Sequence, residues 1–104
     1  MDQAMDVLTL GRRLGPPATV TLLDVRRRAD LLSDPRRIPG AEWRDPEKVE
    51  RWRDDLPRDR PVVVYCVRGG SVSRSVAAAL QQHGLEAHFL AGGLAAWLAS
   101  LIRP

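Results

Sequence analysis

Pro61-Val62-Val63-Val64-Tyr65-Cys66-Val67-Arg68-Gly69-Gly70-Ser71-Val72-Ser73-Arg74-Ser75-Val76-Ala77-Ala78-Ala79-Leu80 is the stretch on which the reading of this 104-residue chain turns. Its first part is an apolar, β-branched run with the composition of a fully buried strand. Its last part is Ala-rich and favours a helix. Between them lies a loop that opens on Cys66, the sole cysteine, and carries the adjacent pair Gly69-Gly70. A strand, a glycine-rich loop and a helix N-terminus let backbone N–H groups converge on an anion. A thiol at the mouth of such a loop sits in a positive field that favours its thiolate. Cys66 is therefore the candidate nucleophile or sulfur carrier. The plainer alternative is a small core residue at a strand end, where free cysteines are common.

The rest of the chain bounds that reading. Its length suits one domain spanning residues 1–104, and a hydrophobic fraction of 44% is ordinary for a globular protein. One cysteine excludes an internal disulfide, and one cysteine with two histidines argues against a structural zinc site, so no metal and no cofactor are expected. No apolar run approaches the roughly 20 residues that span a bilayer. The polar, acidic start Met1-Asp2-Gln3-Ala4-Met5-Asp6 is unlike a secretory signal. A cytoplasmic protein without a membrane partner is the expectation. The formal charge is +3, and Lys48 is the sole lysine. The arginines are spread along the chain and alternate with acids, as in Arg51-Trp52-Arg53-Asp54-Asp55. That pattern describes a solvated, salt-bridged surface rather than a nucleic-acid face, and leaves small anionic substrates compatible.

Working outward, Met5, Val7, Leu8, Leu10 and Leu14 predict a short helix ending near Gly11 or Gly15. Gly15-Pro16-Pro17 breaks it. Thr19–Val25 reads as a strand, with Asp24 and Arg26 at the C-terminal end where open α/β sheets carry function. Arg27–Leu32 predicts a short helix stopped by Asp34-Pro35. A turn at 37–41 leads to an extended segment ending near Trp43. Asp45, Pro46 and Glu47 have the chemistry of a helix N-cap and first turn, followed by a buried stripe of Val49, Trp52 and Leu56. After the central loop, Val72, Val76, Ala79 and Leu80 mark a helix face, closed by Gly84. Leu85–Leu90 is a further strand, Gly92-Gly93 a tight turn, and Leu94–Leu101 the last helix. Strands alternating with helices imply a three-layer α/β fold: a mainly parallel sheet of about four to five strands with helices on both faces.

In this order the chain resembles the rhodanese-like (sulfurtransferase) domain family. Leu23-Asp24-Val25-Arg26, Ile38-Pro39-Gly40-Ala41, Pro61–Gly69 and Leu90-Ala91-Gly92-Gly93-Leu94-Ala95-Ala96-Trp97 are similar to its successive signatures. The resemblance implies the rhodanese-like fold and a cysteine that takes a sulfane sulfur from thiosulfate or a persulfide donor. That sulfur passes to a thiol or cyanide acceptor, a protein sulfur acceptor included. By position, Cys66 holds the persulfide. The backbone of Val67, Arg68, Gly69, Gly70, Ser71, Val72 and Ser73 cradles the transferred group, and Asp24 and Arg26 support the loop.

Two departures keep rivals in view. Many family members carry a basic side chain five residues after the cysteine, where this chain has Ser71, which leaves a non-catalytic binding or sensing module as the alternative. The loop is also about one residue longer than the shortest sulfurtransferase loops, as in relatives that handle phosphate or arsenate. Those relatives place an arginine six residues after the cysteine. This chain has Val72 there, which lacks the fork that grips a tetrahedral dianion. Among the remaining side chains, Arg68 is expected at the donor, Arg74 in solvent, and Ser73 as the helix cap. His83, His88, Trp43, Trp52 and Trp97 are expected in structural roles.

Overall fold

The computed structural model describes residues 3–102. In chain order its elements are β1 (Ala4–Met5), α1 (Val7–Leu14), β2 (Thr21–Asp24), α2 (Arg28–Ser33), β3 (Glu42–Trp43) and α3 (Val49–Trp52), which a 3₁₀ turn (Arg53–Asp55) extends. Then come β4 (Val62–Tyr65), α4 (Ser71–Gln82), β5 (Ala87–Leu90) and α5 (Gly93–Ser100). The sheet runs β1-β5-β4-β2-β3 with every pairing parallel.

The apolar run becomes the middle strand because it alone has no polar face to show to water. Val62, Val63, Val64 and Tyr65 are all 0% exposed. Alternation along the strand splits them between two cores. Val62 and Val64 pack with Trp52, Val76 and Leu80 under α3 and α4. Val63 and Tyr65 pack with Leu10, Leu22 and Leu94 under α1 and α5. Each such side chain contributes roughly 1.5–3 kcal/mol by leaving water. The strand that delivers Cys66 is thus anchored on both faces, and the floor of the loop is firm.

Three sequence expectations are corrected. Met5 belongs to a strand, not to the first helix: Ala4 and Met5 pair with Phe89 and Leu90 at the sheet edge, and Asp6 then caps α1 by accepting from the Thr9 N–H at 2.8 Å. Asp45-Pro46-Glu47 does not start a helix. The Asp45 carboxylate accepts from the Glu47 N–H at 3.0 Å and its carbonyl from the Lys48 N–H at 3.1 Å, so the cap chemistry closes a turn and α3 begins at Val49. The buried stripe of α4 is Ser73, Val76, Ala77 and Leu80, rotated from the face expected through Val72 and Ala79, which are half-buried. Gly84, at φ +83°, ends α4 as expected.

Candidate active site

Cys66 directly follows β4, and α4 begins five residues later, so the chain must turn sharply between them. The carbonyls of that turn are engaged from outside. Cys66 O accepts from the Leu94 N–H at 2.9 Å and Val67 O from the Ala95 N–H at 3.0 Å. These are N-terminal amides of α5, which need acceptors in any case. Gly69 O accepts from Arg74 Nε at 3.1 Å. The N–H groups of Gly69, Gly70 and Ser73 act on the Cys66 sulfur and favour its ionised form. The Ser73 hydroxyl lies 3.1 Å from it.

Cys66 is only 6% exposed, and burial, the largest influence on its thiol, pushes the pKa up. The Ser73 hydroxyl and the N–H groups of Ser73, Gly70 and Gly69 outweigh burial, and the thiol ends below its ordinary value. The folded state therefore gives up this proton at lower pH than the unfolded chain. The resulting stability is present above the unfolded value and is lost as pH falls through the folded one. In the ionised form the Ser73 hydroxyl donates to the sulfur. Ser73→Ala is expected to move the thiol upward and to slow iodoacetamide alkylation at neutral pH. The midpoint of the alkylation–pH profile measures it, and an unchanged midpoint contradicts the assignment.

Ser73 was expected to cap the helix. Gly70 occupies the cap without a side-chain bond, and Ser73, fully buried in the first turn, faces the sulfur instead. A polar residue at the head of the stripe 73, 76, 77 and 80 was the available signal.

A second glycine pair backs the loop. Gly69 has φ +72°, and a Cβ on it would lie 2.7 Å from Gly92 N and 2.9 Å from Leu90 O. Gly93 has φ +60°, and a Cβ there would lie 2.4 Å from Cys66 O, 2.6 Å from Gly69 N and 2.8 Å from Arg68 N. The two turns press backbone on backbone with no room for a side chain.

Asp24 and Arg26 are 0% and 1% exposed, not a surface pair. Arg26 Nη2 donates to Asp24 Oδ2 at 2.8 Å, and Nε bridges both carboxylate oxygens at 3.0 Å. The remaining Arg26 donors reach Asp34 O at 2.6 Å and Arg36 O at 3.0 Å. Tyr65 Oη donates to Asp24 Oδ2 at 3.3 Å and accepts from the Ile38 N–H at 3.2 Å. The pair thus fastens the segment 34–38 to the sheet. It meets the Cys66 loop through Tyr65, the residue before the cysteine.

A model of the rhodanese-like domain matches residues 8–100. The chain belongs to the rhodanese-like domain family. A sulfurtransferase of Allochromatium vinosum is 33% identical over 98 residues, 93% of this chain and 89% of that protein. A tRNA sulfurtransferase of Desulfurococcus amylolyticus is 48% identical over 48 residues, 46% of this chain and 10% of that protein. Thiosulfate sulfurtransferase from Pseudomonas aeruginosa superposes with a TM-score of 0.81 at 27% identity, over 99% of this chain and 19% of that one. A rhodanese-related protein from Thermoplasma volcanium superposes with a TM-score of 0.80 at 22% identity, over 94% and 92%, a likeness of fold.

Around this rhodanese-like loop the other expected residues separate. Ser71 (exposed) and Val72 (half-buried) line a groove of about 320 Å³ with Arg27, Glu47 and Ser75. Val67 and Arg68 line a second groove on the other flank. Arg68 is exposed and has no ion-pair partner among the described residues. Arg74 is not simply solvated: besides holding Gly69 O, its guanidinium lies 4.7 Å from the Phe89 ring centroid. His83 and His88 pair with Asp54 at 2.7 Å and Glu86 at 3.1 Å, away from the loop. No helix among the described residues is long and apolar enough to cross a membrane.

Proposed function

We propose that this rhodanese-like chain works as a single domain that transfers a sulfane sulfur through a persulfide on Cys66. The observation that carries the reading is a Cys66 sulfur at the mouth of the strand–loop–helix turn, 3.1 Å from the Ser73 hydroxyl and made more acidic by it and by the N–H groups of Ser73, Gly70 and Gly69, in a chain with sulfurtransferase homologues. The Cys66 thiolate attacks the outer sulfur of thiosulfate. The sulfur–sulfur bond of the donor breaks, and sulfite leaves with the electron pair. The new terminal sulfur carries the negative charge that the thiolate brought, and the same N–H groups face it. No side-chain base is required, because the Ser73 hydroxyl and the loop N–H groups favour the thiolate. Cyanide or a thiolate then attacks the terminal sulfur, and the electron pair returns to Cys66.

Within this scheme the backbone from Val67 to Ser73 forms the cradle, with the hydroxyls of Ser71 and Ser73 at its edge and centre. Arg68 draws in the anionic donor. Asp24 and Arg26 act as positioning residues through Tyr65. The test is steady-state turnover of the wild-type chain with thiosulfate and cyanide. Equimolar thiocyanate and sulfite with double-displacement kinetics are expected. The absence of thiocyanate with both thiosulfate and a cysteine persulfide as donor overturns the reading.

A further inference from the structure

The groove beside the loop is larger than the transferred sulfur requires. Val67 and Arg68 form one end of it, and Leu94, Leu98, Leu101 and Ile102 continue it along α5, enclosing about 600 Å³. Leu101 also borders a neighbouring hollow lined by Leu8 and Trp97, which makes the two a continuous apolar face. Leu8, Leu101 and Ile102 are 64%, 61% and 80% exposed. Thiosulfate and cyanide gain nothing from such a surface, and apolar patches of this kind mark partner sites. Its charged rim has one dominant sign. Arg68, Arg36 and Arg12 border the face, against a single acid, Asp34, already held by Arg36 at 2.7 Å.

We propose that this face docks the sulfur acceptor, and that the acceptor is a protein segment that is both acidic and amphipathic. Its apolar side lies on Leu98, Leu101 and Ile102, its carboxylates meet Arg68 and Arg12, and its thiol reaches the loop past Val67. The inference rests on the sulfurtransferase reading above. In the transfer step the acceptor thiolate attacks the outer sulfur of the Cys66 persulfide. The sulfur–sulfur bond breaks, Cys66 recovers the electron pair as thiolate, and the acceptor leaves as a persulfide. Charge complementarity selects this partner over a basic or neutral one, and contact between groove and loop places the partner's thiol where the sulfur is released.

The probe is a short synthetic helical peptide with leucines along one face, glutamates elsewhere and one terminal cysteine. A control peptide replaces the glutamates by lysines. Discharge of persulfide-loaded wild type to the acidic peptide is expected to exceed discharge to the lysine peptide by about tenfold or more. The exposed double variant Leu101→Asp/Ile102→Asp is expected to lose about tenfold toward the acidic peptide while discharge to cyanide stays within about twofold. Equal use of the two peptides overturns the proposal. So does a double variant as active as wild type toward the acidic peptide, or a wild-type dimer in sedimentation that the double variant dissolves. A second measurement separates the two readings: calorimetric binding of the same peptide with serine for cysteine to Cys66→Ala. If no persulfide forms but this binding is salt-sensitive and weakened by the double variant, the sulfurtransferase reading fails and the docking face stands. If turnover is present and this binding is absent, the docking face alone fails.

Discussion

Gly93→Ala is expected to destroy sulfur transfer, with a loss of about a hundredfold or more, and to destabilise the fold. The added Cβ would meet Cys66 O at 2.4 Å, Gly69 N at 2.6 Å and Arg68 N at 2.8 Å, and every one of these atoms is backbone. No rotamer change relieves such contacts, so the loop or α5 has to move. The left-handed φ of +60° adds roughly 1–2 kcal/mol for any residue with a side chain. Movement at this point separates the amides of Leu94 and Ala95 from the carbonyls of Cys66 and Val67. Those hydrogen bonds hold the start of the loop in place, so the thiol is expected to lose its acidity along with its cradle. The check is twofold. Thermal unfolding is expected to fall by several degrees, and alkylation of Cys66 at neutral pH is expected to slow. A folded Gly93→Ala protein with wild-type turnover contradicts this account of how the loop is held.

Arg26→Met is expected to have the largest effect on stability, about 3–5 kcal/mol. The substitution keeps much of the buried volume but removes the cation paired with the fully buried Asp24 carboxylate. It also leaves Asp34 O and Arg36 O without the donors they have in the native fold. At roughly 4–8 °C per kcal/mol for a domain of this size, the unfolding temperature is expected to drop by more than about 10 °C. Adding Asp24→Asn is expected to recover part of the loss, because an amide carries no charge and still accepts from Tyr65. A drop of under about 1 kcal/mol for Arg26→Met, read from denaturant unfolding, contradicts the buried-pair description.

Much of this was legible before the fold. Val62–Tyr65 has no polar residue to point at solvent, and all four of its side chains are buried. The strand–loop–helix order then fixed where Cys66 sits, and the glycines between them marked a loop whose amides can face a ligand. What escaped the sequence depends on partners far along the chain. Asp24-Val25-Arg26 looks the same on a surface as in a core. Tyr65, Ile38 and the carbonyls of Asp34 and Arg36 are what put the pair inside. Gly92-Gly93 reads locally as a turn, and its backing of the Cys66 loop appears only when β5 lies beside β4. Ser73 looked like a cap because serine favours caps. The stripe it heads through Val76, Ala77 and Leu80 points it at the sulfur instead. At Asp45 the local signal was real but served a turn, held further by the Trp52 indole N–H donating to Asp45 O at 2.9 Å.

The most direct test of the central claim is the intact mass of the protein after incubation with thiosulfate and removal of excess donor. The account predicts that the wild-type chain gains the mass of one sulfur atom, that cyanide removes it, and that Cys66→Ala gains nothing. A wild-type chain whose mass never changes, or a Cys66→Ala variant that gains the same sulfur, contradicts it.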